Sequence, residues 1–227
     1  MQKKKGRLLA FLLVGTMMIA GCGNSSANVS SSTSSSALAT SSGTTNVTSL
    51  QTGEKDTLTV AYRTEAANLD PHNNQSLTAF SLEMMIYDRL VEKDANGNIV
   101  PSLATSWEVI DETTIIFHLR NDVYFCNGEK LTAEDVKYSI ERAETMPNSS
   151  SFMSAFDGAG SIAIDDITFE LKLHKPFAPV YNYLATARGS IVCKSEMEKS
   201  GSDKYGRSPV GSGPMIFSSW TAGDRIE

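Results

Sequence analysis

The sequence is poor in the residues from which active centres are usually assembled. Its three histidines, His72, His118 and His174, have no histidine or cysteine partner at metal-ligand spacing, and no Gly-x-Ser-x-Gly turn presents a nucleophile. No glycine-rich loop ends in Gly-Lys-Ser/Thr, so a nucleoside-phosphate cradle is not expected. Beyond residue 22 no basic cluster is interleaved with aromatics, and the formal net charge is −6. Such an acidic chain is a poor partner for a phosphate backbone, which excludes nucleic acid as a ligand. Neither a cofactor nor a metal is implied. Long hydrophobic runs are lacking too: Leu8 to Ala20, as a helix, would reach only about 20 Å across a hydrocarbon core of roughly 30 Å. There are only three cysteines.

What is present is enough apolar material for a packed core, 41% hydrophobic and 8% aromatic residues. The N-terminus carries Lys3, Lys4, Lys5 and Arg7 ahead of the apolar run, and Ile19-Ala20-Gly21-Cys22 closes it with small residues and a cysteine. Basic, apolar and small-residue regions in that order resemble a bacterial lipobox, in which the peptide is cut before a cysteine that carries lipid. Residues 1–21 are then a lipoprotein signal peptide, Cys22 is the lipidation site, and the mature chain has a formal charge of −10. Residues 22–55 are mostly Ser, Thr, Asn, Ala and Gly with almost nothing to bury, the composition of a flexible tether. The Asn-x-Ser/Thr triplets at Asn24, Asn28, Asn46 and Asn148 receive no function in a bacterial setting. Cys126 and Cys193 remain after processing. An exported location permits them to pair, but sequence does not bring them within bonding distance, and two small buried hydrophobes is the default expectation.

From about Asp56 onward the pattern is that of a mixed α/β or α+β domain. Thr57 to Tyr62 reads as a strand, Asn68 to His72 as a loop, and Leu77, Phe80, Met84, Tyr87 and Leu90 fall at helical spacing. Asn96-Gly97 signals a hairpin turn. Trp107 to Arg120 and Ser161 to Leu173 each read as two strands around acidic turns. Thr132 and Asp135 form a capping-box-like start for a helix to about Glu144, with Val136, Ile140 and Ala143 facing inward. Glu134 and Asp135 read as a solvated face near the positive helix end.

Several segments occur in an order that is more specific. They are Leu69-Asp70-Pro71-His72, Tyr87-Asp88-Arg89-Leu90-Val91, Pro101-Ser102-Leu103-Ala104-Thr105-Ser106-Trp107, Phe117-His118-Leu119-Arg120, Val123-Tyr124-Phe125, Asn127-Gly128, Leu131 to Val136 and Pro209-Val210-Gly211-Ser212-Gly213-Pro214. The succession resembles the extracytoplasmic solute-binding lipoproteins of peptide and nickel ABC importers, family 5. Met215 stands where an aromatic is usual, and Cys193 where proline is common. The resemblance implies an α/β, periplasmic-binding-protein-like (class II) two-lobed fold. Relatives are about twice as long, so the chain is expected to be an N-terminal portion: residues 56–227 would hold part of lobe one plus an extra subdomain over 73–190.

The resemblance also implies a receptor that is not an enzyme. It would capture a small solute, foremost an oligopeptide, and deliver it to ABC permease subunits while a lipid anchor holds it to the membrane. The loop Asn73 to Leu77 follows the family's Leu-Asp-Pro-His and lines the ligand cleft in relatives. Asn74, Gln75 and Ser76 are therefore candidate hydrogen-bonding residues, and Leu77 a candidate apolar wall. Arg188 lies between an apolar stretch and a predicted strand, where a guanidinium can hold a ligand carboxylate through two hydrogen bonds. A surface arginine is the competing reading. His118 and Arg120 alternate with Phe117 and Leu119 and should face away from the core. Trp107 reads as core, and Asp70-Pro71 as a turn before a binding element. A truncated interaction module without transport function is the alternative. A surface-tethered hydrolase is the weaker one, lacking nucleophile, base and metal cluster.

Overall fold

A computed structural model describes residues 57–227; the expected signal peptide, Cys22 and the tether over 22–55 lie outside the described residues. Helix α1 (Leu77–Ile86) opens the regular structure, followed by a hairpin of β1 (Val91–Lys93) and β2 (Ile99–Pro101). The hairpin turn is the expected one. Asp94 Oδ1 accepts from the N–H groups of Asn96 and Asn98, and Gly97 takes φ 84°, a left-handed conformation that glycine adopts without a Cβ penalty.

Four antiparallel strands in the order β3-β4-β6-β5 form the main sheet: β3 (Ala104–Asp111), β4 (Thr114–Leu119), β5 (Phe156–Asp165) and β6 (Thr168–Leu173). Period-two alternation in β4 sends Ile115, Phe117 and Leu119 inward, while His118 is half-buried and Arg120 exposed. Phe117 sits opposite Trp107 on one side and Phe169 on the other. Trp107 is half-buried and packs on Phe117 and Tyr181, with ring centroids 6.2 and 5.5 Å away.

Helix α2 (Ala133–Thr145) covers β5 and β6 with Val136, Ile140 and Ala143, as its periodicity predicts. A Cβ at Gly158 would fall 2.5 Å from Glu141 Cα, so glycine permits the close approach of β5 to α2. Burying Phe117, Phe156 and Phe169 completely contributes about 1.5–3 kcal/mol each. The chain continues through α3 (Ser150–Met153), α4 (Val180–Leu184), a 3-10 turn (Ala187–Gly189), α5 (Lys194–Ser200), α6 (Ser202–Tyr205) and a final hairpin of β7 (Trp220–Thr221) and β8 (Arg225–Ile226). A second apolar cluster gathers Ala66, Leu69, Ala79, Ile86, Tyr87, Val192, Met197 and Tyr205.

Four local expectations are corrected. Thr57 to Tyr62 is not a strand: it has no ladder partner among the described residues, and Leu58 and Val60 are 85% and 57% exposed. Helix α1 stops at Ile86 rather than reaching Leu90. The Tyr87 ring turns into the second cluster, stacked on Tyr205 and donating to the Leu69 carbonyl, and the Arg89 and Leu90 carbonyls are taken by Leu103 and Ala104. The buried face of α1 is Ala79, Glu83 and Ile86, leaving Leu77 82% exposed. Asp135 is not on a solvated face. Its carboxylate accepts from the Thr132 N–H and hydroxyl and from the Lys194 N–H, tying the starts of α2 and α5 together. Finally, Cys193 is buried but Cys126 is exposed, and both are free thiols.

Candidate functional site

The segment Asn68 to Ser76 is shaped by three successive side-chain turns. Asn68 Oδ1 accepts from the Asp70 N–H, Asp70 Oδ1 from the His72 N–H, and Asn74 Oδ1 from the Ser76 N–H. Asn and Asp close such turns because their short side chains reach the backbone two residues on. Ser76 then caps α1 by accepting from Ala79 N–H.

Below this loop lies a buried polar cluster. Asp70, 1% exposed, receives both ends of the Arg142 guanidinium, at 2.9 and 2.5 Å, and the Ser202 hydroxyl as well. Arg142 Nη1 also donates to His72 Nδ1 at 2.9 Å, while His72 Nε2–H donates to the Ser190 carbonyl. These partners assign the neutral tautomer with the proton on Nε2. Burial lowers the His72 pKa to about 4, helped by the Arg142 charge and opposed by that of Asp70. For Asp70, burial pushes the carboxyl up, but the hydrogen bonds and charge of Arg142 outweigh it and the net shift is downward.

Glu83, on the buried face of α1, belongs to the same region. Its Oε1 accepts from Asn74 Nδ2 at 3.1 Å, and its Oε2 is buried without a hydrogen-bond partner among the described residues. Burial raises the Glu83 pKa to about 8; the Asn74 hydrogen bond opposes this, the Asp70 charge adds to it, and the Arg188 charge opposes it. Glu83 is thus mainly a neutral acid at pH 7.

The structure separates the five sequence-predicted site residues by role. Asn74 is 3% exposed and its amide is spent internally, on the Asn68 carbonyl at 2.7 Å and on Glu83. Ser76 is a helix cap. Leu77 is exposed at the helix start. Gln75 and Arg188 meet at a residue that sequence reasoning missed, Asn148: Gln75 Nε2 donates to its side-chain oxygen at 2.9 Å and Arg188 Nε to its carbonyl at 3.2 Å. Asn148 also donates to Asn73 Oδ1. The Arg188 guanidinium carbon lies 4.8 Å from the Phe80 ring centroid and 5.0 Å from that of Phe152. Phe152 in turn stacks on Tyr183 at 4.0 Å. Arg188 forms no ion pair with an acid among the described residues. Two aromatic faces hold its guanidinium in place, and its terminal nitrogens have no hydrogen-bond partner among the described residues. Such an arrangement can receive a carboxylate.

The family described as "Bacterial extracellular solute-binding proteins, family 5 Middle" matches residues 98–227. The chain is similar to the periplasmic oligopeptide-binding protein OppA of Escherichia coli K12, 29% identical over 194 residues, covering 76% of this chain and 35% of the relative. It is similar also to the peptide transport periplasmic protein SapA of Salmonella typhimurium LT2, 33% identical over 177 residues, covering 67% of this chain and 32% of the relative. Among solved structures it resembles the binding protein AgaA of A. tumefacien R10 in complex with agropinic acid. That likeness has a TM-score of 0.65 at 31% identity and covers 71% of this chain and 33% of AgaA. The chain therefore spans about a third of the length of the relatives it matches.

Proposed function

Because the chain belongs to family 5 of the bacterial extracellular solute-binding proteins, we propose that it is the N-terminal portion of the substrate-binding lipoprotein of an ABC importer. It captures a small solute outside the cytoplasmic membrane and delivers it to the permease. The family match over residues 98–227 is the observation that carries this reading, and the names of OppA and SapA favour a peptide as the solute. Capture closes a hinge between two lobes, and the permease reads the closed form. Residues 73–190 are assigned to the extra subdomain of this group. Native mass spectrometry of the full-length gene product against a pool of di- to pentapeptides tests the reading. A one-to-one peptide complex is expected. Retention of no peptide, with retention of agropinic acid instead, would transfer the assignment to the ligand seen in AgaA.

Arg188 is assigned to a ligand carboxylate, with Gln75 and Asn148 fixing its surroundings and Asn74 and Ser76 holding the loop in shape. Arg188→Ala is expected to weaken binding of a carboxylate-bearing peptide by about tenfold or more, since a charged hydrogen bond contributes roughly 1.5–3 kcal/mol. Calorimetry at pH 6.5 measures it, and an unchanged affinity returns Arg188 to the surface.

Cys22 is assigned as the lipid attachment point. Two or three acyl chains on one residue anchor far more firmly than a single chain. Cys22→Ser is expected to move the protein from the membrane fraction to the medium or periplasm. Fractionation unchanged by the substitution removes the anchor from the reading.

A further inference from the structure

Glu83 is a carboxyl group on a helix face whose other buried residues are hydrocarbon. It lies on the buried face of α1 beside Ala79 and Ile86, is 0% exposed, and one of its oxygens has no partner among the described residues. An unpaired buried polar atom is costly, and more so when the group is charged. Phe80, one helical turn earlier, is one of the two rings under the Arg188 guanidinium, and the charges of Glu83 and Arg188 act on each other. Arg188 spends a single N–H, Nε, on the protein and has no acid partner among the described residues. The other groups around Glu83 do not neutralise it. From the loop, Asp70 opposes its ionisation; Asn74 supplies one neutral donor; and Tyr87, the next turn along, is a buried phenol whose hydroxyl is engaged with Leu69. The positive charge of Arg142 is already shared between Asp70 and His72.

We propose that Glu83 is a proton-operated switch for the Arg188 guanidinium. Protonated, Glu83 leaves Arg188 on the faces of Phe80 and Phe152 with its terminal nitrogens free. Ionised, Glu83 draws Arg188 off that stack and into a buried ion pair, because Arg188 is the cation whose charge acts on it and the carboxylate has an oxygen with no hydrogen-bond partner among the described residues. The consequence for binding rests on Arg188 being the carboxylate receiver: ionised Glu83 competes with the ligand for the same guanidinium, so affinity falls in alkali. The loop is affected as well, since the Asn148 carbonyl loses the Arg188 N–H while Gln75 remains on Asn148.

The test follows the Arg188 Nε–H and the Glu83 carboxyl carbon by NMR from pH 5.5 to 9.5 in the full chain, together with binding of trialanine at pH 6.5 and 9. Both resonances are expected to move with one midpoint near 8, the pKa to which burial raises Glu83. In Glu83→Gln, which keeps the shape and cannot ionise, the Arg188 signal should stay still. Trialanine affinity should drop about tenfold between the two pH values in the wild type and less than twofold in the variant. An Arg188 signal that ignores pH, or that titrates identically in Glu83→Gln, overturns the switch. If trialanine binds at neither pH while Arg188 still follows Glu83, the switch stands and the peptide reading falls.

Discussion

Arg142→Ala lowers the unfolding free energy by about 3–5 kcal/mol, the cost of leaving one member of a buried ion pair without its partner. The size follows from what the guanidinium holds. Arg142 and Asp70 have side chains only 9% and 1% exposed, so water cannot replace the lost bonds. Its removal strips Asp70 of two charged hydrogen bonds, deprives His72 Nδ1 of its donor, and releases the Ser202 hydroxyl from a three-way arrangement. Arg142→Lys retains the charge but not the fork, and is expected to recover no more than about half of the loss. Asp70→Asn with Arg142→Leu removes both charges and should recover more, since an uncharged pair no longer leaves an ion buried. The contrast is Arg120 with Asp122, where side chains 49% and 64% exposed put the pair in the class worth roughly 0–1 kcal/mol. Urea unfolding at pH 7 of these variants measures the series. A loss below about 1 kcal/mol for Arg142→Ala would show that Asp70 finds water or another cation.

The sequence made the local structure readable where one element carries the whole signal. The hairpin at Asn96-Gly97, the strand pairs around Asp111 to Thr113 and Asp165 to Ile167, and α2 from its capping box were legible because turn chemistry and periodicity act within ten residues. What escaped lives in pairings across long stretches of chain. Asp70 and Arg142 are 72 residues apart, and Gln75 meets Asn148 across 73. A carboxylate followed by proline looks like a turn whatever lies above it. The α1 stripe of Leu77, Phe80 and Met84 pointed to the wrong buried face because the helix packs through Ala79, Glu83 and Ile86, and a glutamate at an inward position defeats a hydrophobic count. Of the candidate residues, Arg188 was legible as a cation between apolar segments. Its aromatic cradle of Phe80 and Phe152 was not, since those rings come from different helices.

The second large effect is a stability profile shaped by Glu83 against His72. Glu83 has a folded pKa of about 8 against an ordinary 4.5, so the native state binds more protons than the unfolded chain between those values. Its contribution is complete below 4.5 and is lost as pH rises through about 8. His72 acts in the opposite direction. Its folded pKa of about 4 against an ordinary 6.5 means that the unfolded chain binds the extra proton, and stability falls as pH drops from 6.5 through 4. Between 4.5 and 6.5 the two slopes oppose each other and largely cancel. Above 6.5 Glu83 acts alone, and the 1.5 units up to 8 correspond to a loss of roughly 2 kcal/mol. Glu83→Gln should therefore do more than remove the alkaline decline. It should uncover the His72 slope, so that the variant gains stability from pH 4.5 to 6.5 and then stays level, becoming more stable than the wild type by roughly 2 kcal/mol or more at pH 8.5. Urea unfolding of both proteins at half-unit steps of pH gives the difference curve, in which every other titrating group cancels. A difference that does not change between pH 6.5 and 8.5 would mean that Glu83 titrates as an ordinary carboxylate, reached by water that its buried position would otherwise exclude.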